Sequence, residues 1–233
     1  MWAYPGDVTE LRPKQGLGVV HLFCKVRPGV DRQAVTTAVK AAVDAEHQVV
    51  AAAMLGHKAD VAFLAVGPDL WRLRALQTDL QRAGLDVVDS YVSLTELSEY
   101  SQNVPEKQQQ ARLYPQLPPE GMTAFCFYPM SKRRNPEQNW YALPYEERLE
   151  LMYEHGKSGR TFSGRIVQLV TGSTGLDDHE WGVTLFGVHP DDLKECVYTM
   201  RFDDASRHYA EFGPFYTGMV GELGEVLDRI GVG

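Results

Sequence analysis

FCFYPMSKRRNPEQNWYALPYEERLELMYEHGKSGRTFSGRIVQLVTGS, residues 125–173, is the stretch from which the fold is read. It joins a strand through Tyr128, a basic turn Lys132-Arg133-Arg134, a helix closing at His155 and a strand carrying Gln168. The helix is expected over Pro144–Gly156, because proline suits a first helical turn and glycine commonly ends one. Tyr145, Leu149 and Met152 mark its buried face, and His155 projects from the last turn of that face. Alternation in Arg165–Val170 sets Gln168 beside Ile166 and Val170 on one apolar, buried face. Tyr128 shares a strand face with Ala124, Cys126 and Met130, and Lys132 follows just beyond the strand end.

Each of these residues admits two readings. An imidazole on an apolar helix face is commonly a satisfied core residue; otherwise it is a neutral ligand for haem iron. A buried amide either joins a polar network or faces a ligand. A tyrosine inside a strand usually packs structurally, its hydroxyl bonded to a nearby carbonyl. The basic turn, with Arg112, Arg201 and Arg207 elsewhere, is either a solvated surface or a grip for carboxylates or phosphates.

Working outward, the pattern on both sides of this stretch is the same. Residues 17–27 alternate as a strand, and Asp31 caps a helix with Val35, Ala38, Val39 and Ala42 at helical spacing. Strands at Val49–Leu55 and Asp60–Val66 follow, then a helix with the stripe Leu70, Leu73, Leu76 and Leu80, then a strand at Leu85–Leu94. The second half reads as strand Met122–Met130, helix Pro144–Gly156, strands Gly164–Thr171 and Glu180–Val188, helix Asp191–Phe202 and strand Tyr209–Met219, with a short helix after it. Both halves are βαββαβ. The expected fold is therefore α+β, with two ferredoxin-like halves forming a dimeric α+β barrel: residues 1–97, an aperiodic proline-rich linker 98–121, and residues 122–233.

Composition narrows the function classes. A net charge of −8 across 233 residues disfavours general nucleic-acid binding, which needs a basic face. No apolar run approaches the roughly 20 residues of a membrane span, and the first residues lack a secretory layout. Cys24, Cys126 and Cys196, odd in number and far apart, fit neither a disulfide framework nor a zinc site. A cytoplasmic protein with reduced thiols is expected.

FCFYPMSKRR, MYEHG, TGSTGLDDHEWGVTLF and MRFDDASRHYAEFGPFYTG resemble the chlorite dismutase superfamily, in particular its actinobacterial coproheme decarboxylase branch, from Gly16 to Val220. The resemblance implies a homopentamer with an iron porphyrin in the C-terminal half. It makes His155 the proximal iron ligand and Tyr128 a redox-active tyrosine that passes through a radical. Lys132 matches a lysine near a reactive propionate, Met130 lies in the same motif against the porphyrin, and Ser206, Arg112 and Arg201 fall where propionates are held. Gln168 stands thirteen residues after His155, where chlorite-degrading members carry arginine. An amide can hydrogen-bond a peroxide but lacks the charge that would stabilise an oxyanion. Gln116 stands near where actinobacterial relatives use a distal histidine as base, and an amide accepts no proton at neutral pH.

The implied reaction takes Fe-coproporphyrin III (coproheme) as substrate and redox cofactor, with hydrogen peroxide as oxidant. Two propionates become vinyl groups and haem b results. The implied supplier of coproheme is a ferrochelatase in transient contact; neither nucleic acid nor membrane is a partner. Competing readings are a chlorite-degrading or general haem peroxidase, a non-catalytic haem carrier or sensor, and a cofactor-free barrel monooxygenase.

Overall fold

The structure is a computed structural model that describes residues 10–101 and 104–233. The first nine residues of the expected N-terminal half, and residues 102 and 103 of the expected linker, lie outside the described residues.

Alternating apolar residues build β1 (Gly18–Val26), β2 (Gln48–Met54), β3 (Val61–Gly67) and β4 (Leu85–Thr95) in the first half. In the second half they build β5 (Ala124–Lys132), β6 (Ile166–Gly172), β7 (Trp181–Gly187), β8 (Ala210–Phe212) and β9 (Tyr216–Gly221). All pairings are antiparallel. The order is β7-β6-β4-β1-β3-β2-β9-β5-β8, and an additional β7–β5 pairing closes the sheet into a ring. The α+β barrel expected from the sequence is thus present, its two halves stitched edge to edge at β2–β9 and β4–β6.

Inside the ring, Phe23, Ala62, Leu64, Phe125, Phe127, Leu169, Phe186 and Tyr216 form the shared core. His21 is buried among them, its Nε2 2.8 Å from Thr184 Oγ1 on the opposite half, and its ring 4.2 Å from that of Phe127.

Outside the ring the halves differ. Helices α1 (Arg32–Asp44) and α2 (Leu70–Arg82) bury Val35, Ala38, Ala42 and Leu73, Leu76, Leu80 on the first half. Fully burying each such leucine contributes about 1.5–3 kcal/mol. A short helix, α7 (Leu223–Arg229), adds Val226 and Leu227 to the same cluster. On the second half α5 (Pro190–Met200) packs on the sheet through Leu193, over Ala124, Cys126, Tyr128, Val183 and Leu185. Helix α4 (Tyr145–Arg160) buries none of its residues. The outward face of β6 is therefore partly uncovered, at Gln168 and Val170.

Four expectations are corrected. The linker, which shows no periodicity in sequence, still forms regular structure: a 3-10 turn, Glu99–Ser101, and helix α3 (Glu106–Leu113), anchored by Leu113, which is buried. Helix α4 does not stop at Gly156 but runs to Arg160; the left-handed residue that turns the chain into β6 is Gly164, with φ 82°. The face Tyr145, Leu149, Met152 is not buried, and Leu149 is 38% exposed. The strand expected over Tyr209–Met219 is split into β8 and β9 at Gly213-Pro214-Phe215, where Pro214 has no N–H for the ladder. Before it, α6 (Asp204–Tyr209) forms on the N-cap Asp203.

Candidate functional site

Strand β5 presents Tyr128, Met130 and Lys132 on its outward face, since side chains alternate. The register carries that face across the sheet. Tyr128 stands opposite Val183 on β7, and Val183 opposite Val170 on β6; one step along, Cys126, Leu185 and Gln168 stand abreast. Gln168 and Tyr128 thus share one face, two strands or about 10 Å apart across the sheet. Gln168 and Val170 are exposed, not buried as the strand pattern suggested, because α4 stands off β6.

Tyr128 itself is buried, stacked on Phe215 at 4.5 Å and edge-on to Phe212 at 5.6 Å. Its hydroxyl has no hydrogen-bond partner among the described residues, and burial holds the phenol well above its ordinary pKa. It is a neutral phenol at any moderate pH. Arg201, at the end of α5, lies 4.8 Å over the Phe212 ring and lines a mainly apolar groove with Cys126, Val197 and Phe215.

His155, in the last turn but one of α4, directs Nδ1 at Asp203, 3.1 Å from each carboxylate oxygen, with Ser206 Oγ at 3.5 Å. Burial pushes the Asp203 carboxyl up, but hydrogen bonds from His155 and from the Ser206 backbone N–H outweigh it and leave its pKa below the ordinary value. An ionised Asp203 accepts Nδ1–H, so the ring presents the bare Nε2 lone pair. That is the arrangement of a metal-ligating imidazole with a carboxylate behind it. Asp203 was missed from the sequence because it lies 48 residues from His155. The signal available was its place before α6, in Asp203-Asp204-Ala205-Ser206, where it accepts from Ser206 N.

Lys132 is buried, its Nζ 3.1 Å from the Ala205 carbonyl and 4.1 Å over the Trp140 ring. Burial lowers its pKa to about 8, with Asp203 and Glu180 opposing. Ser206 and Lys132 therefore converge on the His155–Asp203 pair. Arg133 and Arg134 do not: Arg133 bonds Gln138 at 2.6 Å, and Arg134 lies 4.0 Å from Glu180. Arg112 bonds Ser101 Oγ at 2.7 Å and reaches α4 only through the Glu99–Ser101 turn, which Arg148 of α4 grips at Glu99 and Tyr100. Gln116 is not brought to the other residues. Its neighbours Pro115 and Leu117 are clamped by the Gln48 amide at the start of β2, each at 2.8 Å.

The donor set fits an iron porphyrin: one imidazole with a buried carboxylate behind it, a partly uncovered sheet face, and cations about its edge. Comparison with known proteins agrees. The family described as chlorite dismutase matches residues 32–221. A coproheme decarboxylase of Staphylococcus carnosus is 44% identical over 177 residues, covering 71% of this chain and 70% of its own. A solved structure from Thermus thermophilus, described as a novel heme-binding protein, has a TM-score of 0.83 at 34% identity, covering 96% of this chain and 99% of that one. A chlorite dismutase variant from Candidatus Nitrospira defluvii, at 20% identity, covers 94% of this chain and 97% of its own with a TM-score of 0.74, a likeness of fold.

Proposed function

The chain belongs to the chlorite dismutase family, and from that membership we propose that it is a coproheme decarboxylase, converting two propionates of Fe-coproporphyrin III to vinyl groups with hydrogen peroxide and so yielding haem b. The observation that carries the proposal is the carboxylate-backed His155, together with one sheet face that holds both the buried Tyr128 and the exposed Gln168.

When bound, the substrate's iron supplies the peroxide activation. His155 holds the iron through Nε2, and Asp203 fixes the imidazole tautomer by accepting Nδ1–H. Gln168 donates its amide N–H to bound peroxide; being neutral, it does not favour chlorite chemistry. Tyr128 takes the hydrogen atom from the propionate side chain after losing its own. Because its phenol stays protonated, proton and electron leave together, and Phe212 and Phe215 shield the radical from water. Arg201, Ser206, Lys132 and Arg112 hold carboxylates, and Met130 packs beside them. Gln116 is assigned no bond to the substrate. Pentameric assembly, residence in the cytoplasm and receipt of coproheme from a ferrochelatase belong to the same proposal.

Mass spectrometry of the porphyrin during peroxide titration tests it. Loss of two carboxyl groups from bound coproheme is the expected result, and an intact porphyrin refutes it.

A further inference from the structure

Glu96, the residue after β4, has a carboxyl that the reaction above does not use. Its Oε1 accepts a hydrogen bond of 3.2 Å from the indole N–H of Trp181 on β7. Burial raises its pKa and the indole contact opposes this; no charged or titratable side chain of β4, β6, β7, α3 or the 172–176 loop acts on it among the described residues. Glu96 is solvent-exposed, and no cation among the described residues pairs with its carboxyl, so its fixed place against the indole calls for a reason.

The carboxyl lies directly over Gly172: a Cβ there would stand 2.2 Å from Glu96 Cδ and would push the side chain off the sheet. Gly172, Trp181 and Met130 stand abreast on β6, β7 and β5, on the face that also carries Tyr128 and Gln168. Glu96 is thus at the rim of the face assigned to coproheme. Behind it lies a cleft of ≈ 320 Å³ lined by Gln15, Thr95, Leu113, Gly172, Thr174 and Leu176, with polar groups able to hold water.

The stoichiometry of the proposed reaction supplies the reason. For each propionate, R–CH2–CH2–COO⁻ + H2O2 + H⁺ gives R–CH=CH2 + CO2 + 2 H2O. The bond to the carboxylate breaks, the β-carbon loses a hydrogen and the side chain gives up an electron pair. The peroxide O–O bond breaks and takes that pair. A proton must come from outside each time. Gln168 cannot supply one and go on exchanging, since an amide does not titrate near neutrality. We propose that Glu96 delivers this proton, taking it from water in the cleft and passing it to the porphyrin face beside Trp181. The inference rests on the decarboxylase reading.

Two variants separate proton delivery from a purely structural contact. Glu96→Gln keeps the acceptor for Trp181 but cannot titrate, and Gly172→Ala displaces the carboxyl from the sheet. Without porphyrin, the emission of the wild-type chain should follow a protonation step displaced upward from the ordinary carboxylate range. That step should vanish in Glu96→Gln and in Trp181→Phe. With coproheme and peroxide, wild-type turnover should fall as pH rises through the same step. Glu96→Gln should turn over about 10²-fold more slowly, without that step, while binding coproheme and melting as the wild type does. Gly172→Ala should behave alike. A Glu96→Gln enzyme with the wild-type rate and pH profile overturns the proposal and leaves the decarboxylase reading standing. A wild-type chain that binds coproheme and forms no haem b overturns both.

Discussion

Acid should unlock the barrel from within, through His21. This imidazole is fully buried between the halves, and burial lowers its pKa to about 3, against 6.5 in an unfolded chain. Below pH 6.5 the unfolded chain takes up a proton at this site and the folded chain does not, so stability conferred by the neutral ring is complete above pH 6.5 and drains away as pH falls toward 3. Between pH 7 and pH 4.5 the loss from this residue alone is about 2.5 kcal/mol, and it hardly depends on how far below 4.5 the folded value lies. That is a large part of the ordinary margin of a folded protein. His21→Gln keeps a hydrogen-bonding group for Thr184 Oγ1 and does not titrate. Urea unfolding of both chains at the two pH values gives the comparison, with other acid-sensitive groups cancelling in the difference. Wild type should lose about 2.5 kcal/mol more than the variant. Equal losses would refute the assignment of a neutral, proton-excluding His21.

Tyr128→Phe should bind coproheme with an unaltered absorption spectrum yet form little haem b with peroxide; normal product formation would remove the tyrosine from the reaction. Asp203→Asn keeps a good N-cap for α6, so the melting point should move little. The imidazole loses its anionic partner, however, and the midpoint potential of the bound iron should rise; a potential unchanged by potentiometric titration would deny Asp203 its role. Leu76→Ala, in the core under α2, should cost about 2–5 kcal/mol. Leu149→Ala on α4, where the side chain is 38% exposed, should stay within about 0.5 kcal/mol in chemical denaturation of the porphyrin-free chain.

The strands were legible because each buries at least one face, and alternation or a continuous apolar run then shows in the sequence. α1 and α2 were legible for the same reason: a stripe of leucines, valines and alanines facing a sheet. Helix α4 has an apolar stripe too, but nothing in spacing says whether a sheet lies against it or stands off, and so Gln168 and Leu149 were expected to be buried. Its end was misplaced because glycine ends a helix only where the backbone turns left-handed, which happens at Gly164 and not at Gly156. α6 begins on a local cap, Asp203, that the sequence does carry, whereas α3 is short and is anchored by Leu113, a tertiary contact that local pattern cannot supply. The same limit hid the carboxylate behind His155 and the carboxyl on Trp181, each a contact between residues far apart in the chain.

The ring is fastened by two clasps of unequal length. One joins β2 to β9 over four residue pairs, Ala51 to Met54; the other joins β4 to β6 over two, Leu94 with Gly172 and Thr95 with Thr171. A closed ring under thermal stress parts first at its shorter clasp. Amide hydrogens bonded across the β4–β6 pairing should therefore exchange with solvent sooner than those bonded across the β2–β9 pairing. The parting would splay β6 away from the first half while the longer clasp kept the chain together. A flat, rigid molecule could then slide in at the loosened edge without the barrel coming apart.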